Sequence, residues 1–135
     1  MTLETRQYMK SHTDNAMQND REINIKKLVS NARAILTNQI GLPLGVRRMT
    51  TILYWINPPL ANINLRIFKD IESKIKACPV GTERLLWDKN ALMKQDKLIY
   101  KVIDSYRNGI INKCFEIIEV LEVGDDPEAK RTGHS

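Results

Sequence analysis

Between Asp88 and Val123 the apolar side chains return every three or four residues: Leu92, Ile99, Val102, Ile103, Tyr106, Ile110, Cys114, Ile117 and Leu121. A helix turns once in about 3.6 residues, so this spacing gathers them on one side of a single element. It predicts a helix of about 34 residues, a rod of about 50 Å. A stripe of that length needs other apolar faces to cover it, and the rest of the chain is read for helices that can do so. Gly109 interrupts the pattern at a cost of about 1 kcal/mol against alanine. It marks either a bend or a close helix contact.

Three covering helices are legible. Ile25, Leu28, Val29, Ala32, Ile35 and Leu36 share one face of a helix from about Arg21 to Gln39, with Lys26, Lys27, Asn31 and Arg33 largely on other faces and Gly41 and Pro43 as the stop. Pro43 suits the first turn of a second helix, whose stripe is Val46, Met49, Ile52, Leu53 and Ile56 and which Pro58 and Pro59 end. Asn62 or Asn64 can accept from an orphan amide to start a third, with Leu65, Phe68, Ile71 and Ile75 inward. That one ends near Ala77, because Pro79 disfavours helical geometry at Cys78. CPVGT is a loop in which Thr82 is a candidate cap.

No segment alternates with a period of two. The expected fold class is therefore all-α, a helical bundle of three shorter helices packed along one long C-terminal helix. The expected organisation is a flexible arm over residues 1–20, one helical domain over 21–123 and a disordered tail over 124–135, since neither end has an apolar face to bury. A chain of 135 residues is long enough for one such core.

The same residues narrow the address and the chemistry. Met1 to Asn24 is polar and lacks the apolar stretch of a signal peptide. Arg47 and Arg48 precede an apolar run as in a twin-arginine leader, but Met49 to Ile56 is far short of the roughly 20 residues that span a bilayer. Membrane insertion is not expected, and a cytoplasmic location is. Cys78 and Cys114 have neither zinc spacing nor a disulfide framework, which fits reduced thiols. Cys78 sits before a proline in a loop and is the candidate for an accessible thiol.

His12 and His134 are the only histidines and both fall in the expected tails, so no Ser/His or Cys/His pair and no histidine-based metal triad is expected in the core. GVRRM lacks the further glycines of a phosphate cradle. No catalytic residue, metal or cofactor is assigned.

The formal charge of +5 is polarised. Residues 21–78 carry a net +7, while residues 114–128 carry six carboxylates and no base. Such a carboxylate end opposes the helix dipole, and fraying or docking against basic helices, of the same copy or another, would relieve it. Arg47, Arg66 and Lys69, extended by Lys94, Lys97 and Lys101 along the long helix, form the candidate basic surface. A simply solvated face is the plainer reading of those lysines.

The order NARAIL, LGVRRMTTIL, CPVGTER and MKQDK resembles an uncharacterised bacterial family classed only as a domain of unknown function. Its pattern has an apolar first helix, a Glu-Gly-x-x-Arg turn into helix 2, a Pro-x-x-x-x-Arg loop and an Asp early in the last helix. Gly45 with Arg48, Pro79 with Arg84, and Asp96 fall on it, and Leu44 stands where the pattern has glutamate. The resemblance spans about residues 25 to 121 and implies a small helical domain with no known activity. In physical terms, Arg48 is expected to fold over the core edge and pair with Asp96, while Arg84 ties down the loop after Pro79.

The function these readings favour is a non-catalytic interaction or structural module with a protein partner or a second copy of itself. Tyr54, Trp55 and Trp87 are candidate anchors, against the preferred expectation that the two tryptophans plug the ends of the core. The alternative is a nucleic-acid-binding domain using the basic face of helices 1 to 3, with helices 2 and 3 as a helix-turn-helix.

Overall fold

The computed structural model describes residues 3–122, with side chains from residue 20 onward. Among them are four α-helices and no strand: α1 (Leu3–Leu36), α2 (Leu42–Trp55), α3 (Arg66–Ile75) and α4 (Lys89–Ile117). A 3₁₀ turn (Thr82–Leu86) precedes α4, and a π-helical turn (Ile118–Glu122) continues it. The fold is an all-α bundle in which α1, α2 and α3 pack along the long C-terminal helix. No helix among the described residues is long and apolar enough to cross a membrane.

The aliphatic stripes meet as their spacing requires. Leu28, Ala32 and Ile35 of α1, Val46, Met49 and Ile52 of α2, and Phe68, Ile71 and Ile75 of α3 are buried against Ile99, Ile103, Ile110, Cys114 and Ile117 of α4. Phe68 is the one large aromatic in this cluster, so the interior is built from branched aliphatic side chains. Burying each contributes about 1.5–3 kcal/mol.

Helix ends differ from the expected ones in instructive ways. α1 does not begin at Arg21: the helix runs back to Leu3, so the arm expected over residues 1–20 is helical from residue 3. The tail expected over 124–135 lies outside the described residues. At its other end α1 stops before Gly41. Asn38 takes a left-handed conformation with φ of 60°, its N–H donates to Ile35 O at 3.2 Å, and Gln39 N–H donates to Ala34 O at 2.9 Å. This pair of reversed bonds is a Schellman closure, with asparagine where glycine is commoner.

The start of α3 follows expectation, since Asn64 Oδ1 accepts from the N–H of Arg66 at 3.0 Å. Thr82 is not the cap of the loop. Glu83 Oε1 instead accepts from the N–H of Val80 at 3.1 Å, and Asp88 caps α4 by accepting from Ala91 N–H at 3.4 Å.

Two glycines mark the close crossings. A Cβ on Gly45 would lie 2.6 Å from Ile35 Cγ1 and 2.8 Å from Cδ1, so α1 and α2 touch at a distance only glycine permits. Beside that crossing Asn31 is buried and donates from Nδ2 to Gly45 O at 2.9 Å. Asn31 therefore belongs to the interior face of α1, not to the polar faces where its type suggested it. At Gly109 a Cβ would meet Ile67 Cδ1 at 2.7 Å, which identifies the interruption in α4 as a close contact with α3.

Candidate functional site

Consecutive residues on a helix project about 100° apart, so of the two adjacent arginines only one can face α3. It is Arg47. Its Nε donates to Glu72 Oε1 at 2.9 Å, and its Nη1 to Cys78 O at 3.0 Å and Glu83 Oε1 at 3.1 Å. Its Nη2 donates to Ile75 O at 2.9 Å and Lys76 O at 3.3 Å. The last carbonyls of a helix lack internal donors and carry its negative end, and the planar guanidinium satisfies several at once. Arg47 is therefore the C-terminal cap of α3 and is withdrawn from the basic surface on which it was expected. The other Glu72 oxygen is buried with no partner among the described residues, so its charge rests on Arg47.

Arg48 is exposed and makes no ion pair or side-chain hydrogen bond among the described residues. The expected Arg48–Asp96 pair is replaced by another. Arg84 Nη1 donates to Asp96 Oδ1 at 2.8 Å and its Nη2 to Oδ2 at 3.0 Å, a fork-to-fork contact, and Nη1 also donates to Pro79 O at 3.0 Å. The anchoring of the loop after Pro79 by Arg84 is as expected. What sequence reading missed is that the same side chain holds the long helix: the 3₁₀ turn lays Arg84 against the second turn of α4. The Arg84 hydrogen bonds hold the Asp96 carboxyl below its usual range, and Asp96 raises Arg84 in turn.

Cys78 lies beside the Arg47 contacts and Cys114 farther along α4, and both thiols are buried. Cys78 is buried, and desolvation pushes its thiol up against the opposing pull of Arg47. Cys114 is pushed up to about 11 by burial alone. A thiol held protonated is a poor nucleophile. Cys78 is thus a loop cysteine turned into the core, not the accessible one its position suggested. Among the described residues no group of three His, Cys, Asp or Glu is placed to hold a metal ion. His12 and His134 lie outside the residues whose side chains are described.

Residues 56–65 join α2 to α3 as a ten-residue connection with a cis Asn57–Pro58 bond. That is too long for the three- or four-residue corner of a helix-turn-helix. It props the helices apart and leaves a groove of about 710 Å³. Leu53, Ile56, Pro59, Leu60, Ile63 and Leu65 line it, and Tyr54, Arg66, Lys69, Asp70 and Ser73 lie around them. Tyr54 is 87% exposed. Arg66 Nε stands 3.7 Å from Asp70 Oδ1, while Lys69 has no ion pair among the described residues. A recess of about 240 Å³ beside Arg84 and Asp96 falls below the usual size of a ligand site, and both charges there are already paired.

The tryptophans do not plug the core. Trp55 is 53% exposed, with Lys27 Nζ 5.9 Å from its ring centroid, and Trp87 is 37% exposed at the end of the 3₁₀ turn. Lys94, Lys97 and Lys101 are exposed on the side of α4 opposite its buried stripe, while Arg66 and Lys69 border the groove between α2 and α3. In the π-helical turn that continues α4, Glu122 pairs with Arg33 of α1, so that carboxylate docks on a helix of the same chain, while Asp125, Asp126 and Glu128 lie outside the described residues.

No protein-family model matches this chain, and no curated protein or solved structure is significantly similar to it.

Proposed function

We propose that this chain is a non-catalytic interaction module that receives an amphipathic segment of a partner protein in the groove between α2 and α3. The groove itself supports this: an open apolar trough bounded by two helices, with an almost fully exposed tyrosine at its lip. Large aromatic side chains left in water beside an apolar cleft are the usual anchors of protein recognition. An amphipathic helix laid in such a trough would seat apolar residues at spacings of three and four against Leu53, Leu60 and Ile63. Lys69 and Arg66 at the edge favour acidic residues flanking that stripe. The buried unpaired thiols suit a reducing compartment such as the cytoplasm.

The reading is tested by replacing Tyr54 with a photoreactive phenylalanine analogue in the native host. The expected result is one dominant protein adduct, lost when Leu60→Arg fills the trough with charge. Absence of an adduct overturns the proposal. Retention on heparin that falls with salt, with no protein adduct, would transfer the reading to nucleic acid.

A further inference from the structure

A second surface lies outside this groove. In the turn before α4, Leu85 and Leu86 are 88% and 89% exposed, and Trp87 follows them. The turn is nevertheless held firmly on its inner side. Glu83 binds the N–H of Val80 and the Arg47 guanidinium, and Arg84 binds Pro79 O and Asp96. The leucines are thus presented outward by an anchored turn. They project and line neither of the two cavities.

The neighbouring face of α4 has a matching pattern. Met93 and Tyr100, seven residues apart and both exposed, share a side of the helix. Lys94, Lys97 and Lys101 run beside them within an arc of about 60°. Together with Lys89 these lysines make no ion pair or side-chain hydrogen bond among the described residues. The two carboxylates of the segment are both occupied, Asp88 in capping α4 and Asp96 by Arg84. Asp88 keeps its charge while it caps α4, so the net positive charge here falls on Lys94, Lys97 and Lys101, none of them ion-paired among the described residues, along about 10 Å of helix.

From this juxtaposition we propose that the Leu85–Leu86–Trp87 turn and the first half of α4 form a docking face for an anionic lipid bilayer, lying on the surface without spanning it. Projecting leucines fit a yielding apolar medium better than a preformed pocket. Tryptophan and tyrosine favour the boundary between acyl chains and headgroups, and free lysines beside them select negative headgroups. The face is separate from the α2/α3 groove, so the inference does not rest on the function proposed above.

The test uses the full chain with Trp55→Phe, leaving Trp87 as the sole tryptophan, and vesicles of phosphatidylcholine alone or mixed with phosphatidylglycerol. The expected result is co-flotation with the mixed vesicles only, a blue shift of Trp87 emission on binding, and release by salt. Replacing Leu85 and Leu86 by serine should weaken binding about tenfold or more and abolish the shift. Both side chains are exposed, and an unchanged melting transition confirms that this variant folds. Lys94→Gln with Lys97→Gln and Lys101→Gln should weaken binding while leaving the fold intact.

Failure to float with either vesicle overturns the proposal, as does equal binding to both. Binding to the mixed vesicles that the serine replacements do not weaken overturns it too. Self-association in sedimentation that those replacements abolish, without vesicle binding, would assign the face to a second copy of the chain.

Discussion

Arg84 and Asp96 meet through two parallel hydrogen bonds, at 2.8 and 3.0 Å, that join the turn before α4 to the second turn of that helix. Each side chain keeps about a third of its surface in water, so screening limits what the pair contributes. The forked geometry and the additional bond to Pro79 O place it toward the upper end for such contacts. A double-mutant cycle with Arg84→Gln and Asp96→Asn should report a coupling of about 1 kcal/mol in urea unfolding. A coupling indistinguishable from zero would reduce the contact to a by-product of the turn.

The same pair makes stability depend on acid. Arg84 lowers the Asp96 carboxyl, and backbone amides lower Glu83. A carboxyl held lower when folded than when unfolded is bound by fewer protons in the native state. Its contribution is complete above the ordinary carboxylate range near pH 4 and is lost as pH falls through the folded value. The melting temperature should therefore drop more steeply below about pH 4 in the wild type than in Asp96→Asn, which lacks that titration. Parallel curves for the two would refute the linkage.

Gly45 sets how closely α1 and α2 approach. Its replacement by alanine drives a methyl group into Ile35, whose Cγ1 and Cδ1 stand 2.6 and 2.8 Å from where Cβ would lie. Overpacking of this kind costs about 1–3 kcal/mol. Because the clash is with one side chain, Gly45→Ala combined with Ile35→Ala should be less destabilised than the two singles summed, by an amount that denaturant midpoints resolve. Simple additivity would show that the helices separate instead of clashing.

These contacts also show which features the sequence reveals. The period of three and four identifies α2, α3 and α4, because it records which side of each helix leaves water, and Phe68, Ile71 and Ile75 are buried as it requires. The backward extension of α1 to Leu3 was hidden because residues 3–20 carry no apolar stripe to mark a helix. The partner of Asp96 was hidden for a different reason. Arg48 and Arg84 are equally plausible by type, and only the fold-back of the 3₁₀ turn decides between them. Asn31 misled because a buried amide looks polar until the carbonyl of Gly45 arrives beside it. The exposed Trp55 and Trp87 were legible as residues but not as surfaces, since burial of a large aromatic depends on what the neighbouring helix leaves uncovered.

Asn38 offers a test of the α1 terminus. Its φ of 60° suits glycine best and asparagine tolerably, while a β-branched side chain crowds its own backbone there. Asn38→Gly should leave stability unchanged or raise it by a few tenths of a kcal/mol, and Asn38→Val should lower it by about 1–2 kcal/mol. Equal effects of the two would mean that α1 ends elsewhere in solution, for instance at Gly41.

Arg47 carries more of the architecture than any other charged side chain described. Removing it strands the carbonyls at the end of α3 and leaves the partly buried Glu72 without its ion-pair partner. Breaking a partly buried pair from one side costs about 3 kcal/mol. Arg47→Met should therefore shift the urea midpoint strongly, and Arg47→Lys should recover only a small part, since one ammonium cannot span Glu72, Glu83 and three carbonyls. The two thiols supply a local readout. Loss of the cap frees the Cys78–Pro79 loop, so in Arg47→Met under native conditions Cys78 should react with a thiol reagent well before Cys114, which lies deep in α4 and is pushed up to about 11. Removing the arginine also removes the one influence that lowers the Cys78 thiol, which works against reactivity. Faster labelling of Cys78 would thus report exposure and not activation, and simultaneous labelling of both thiols would mean that Arg47 supports the whole bundle and not the end of α3.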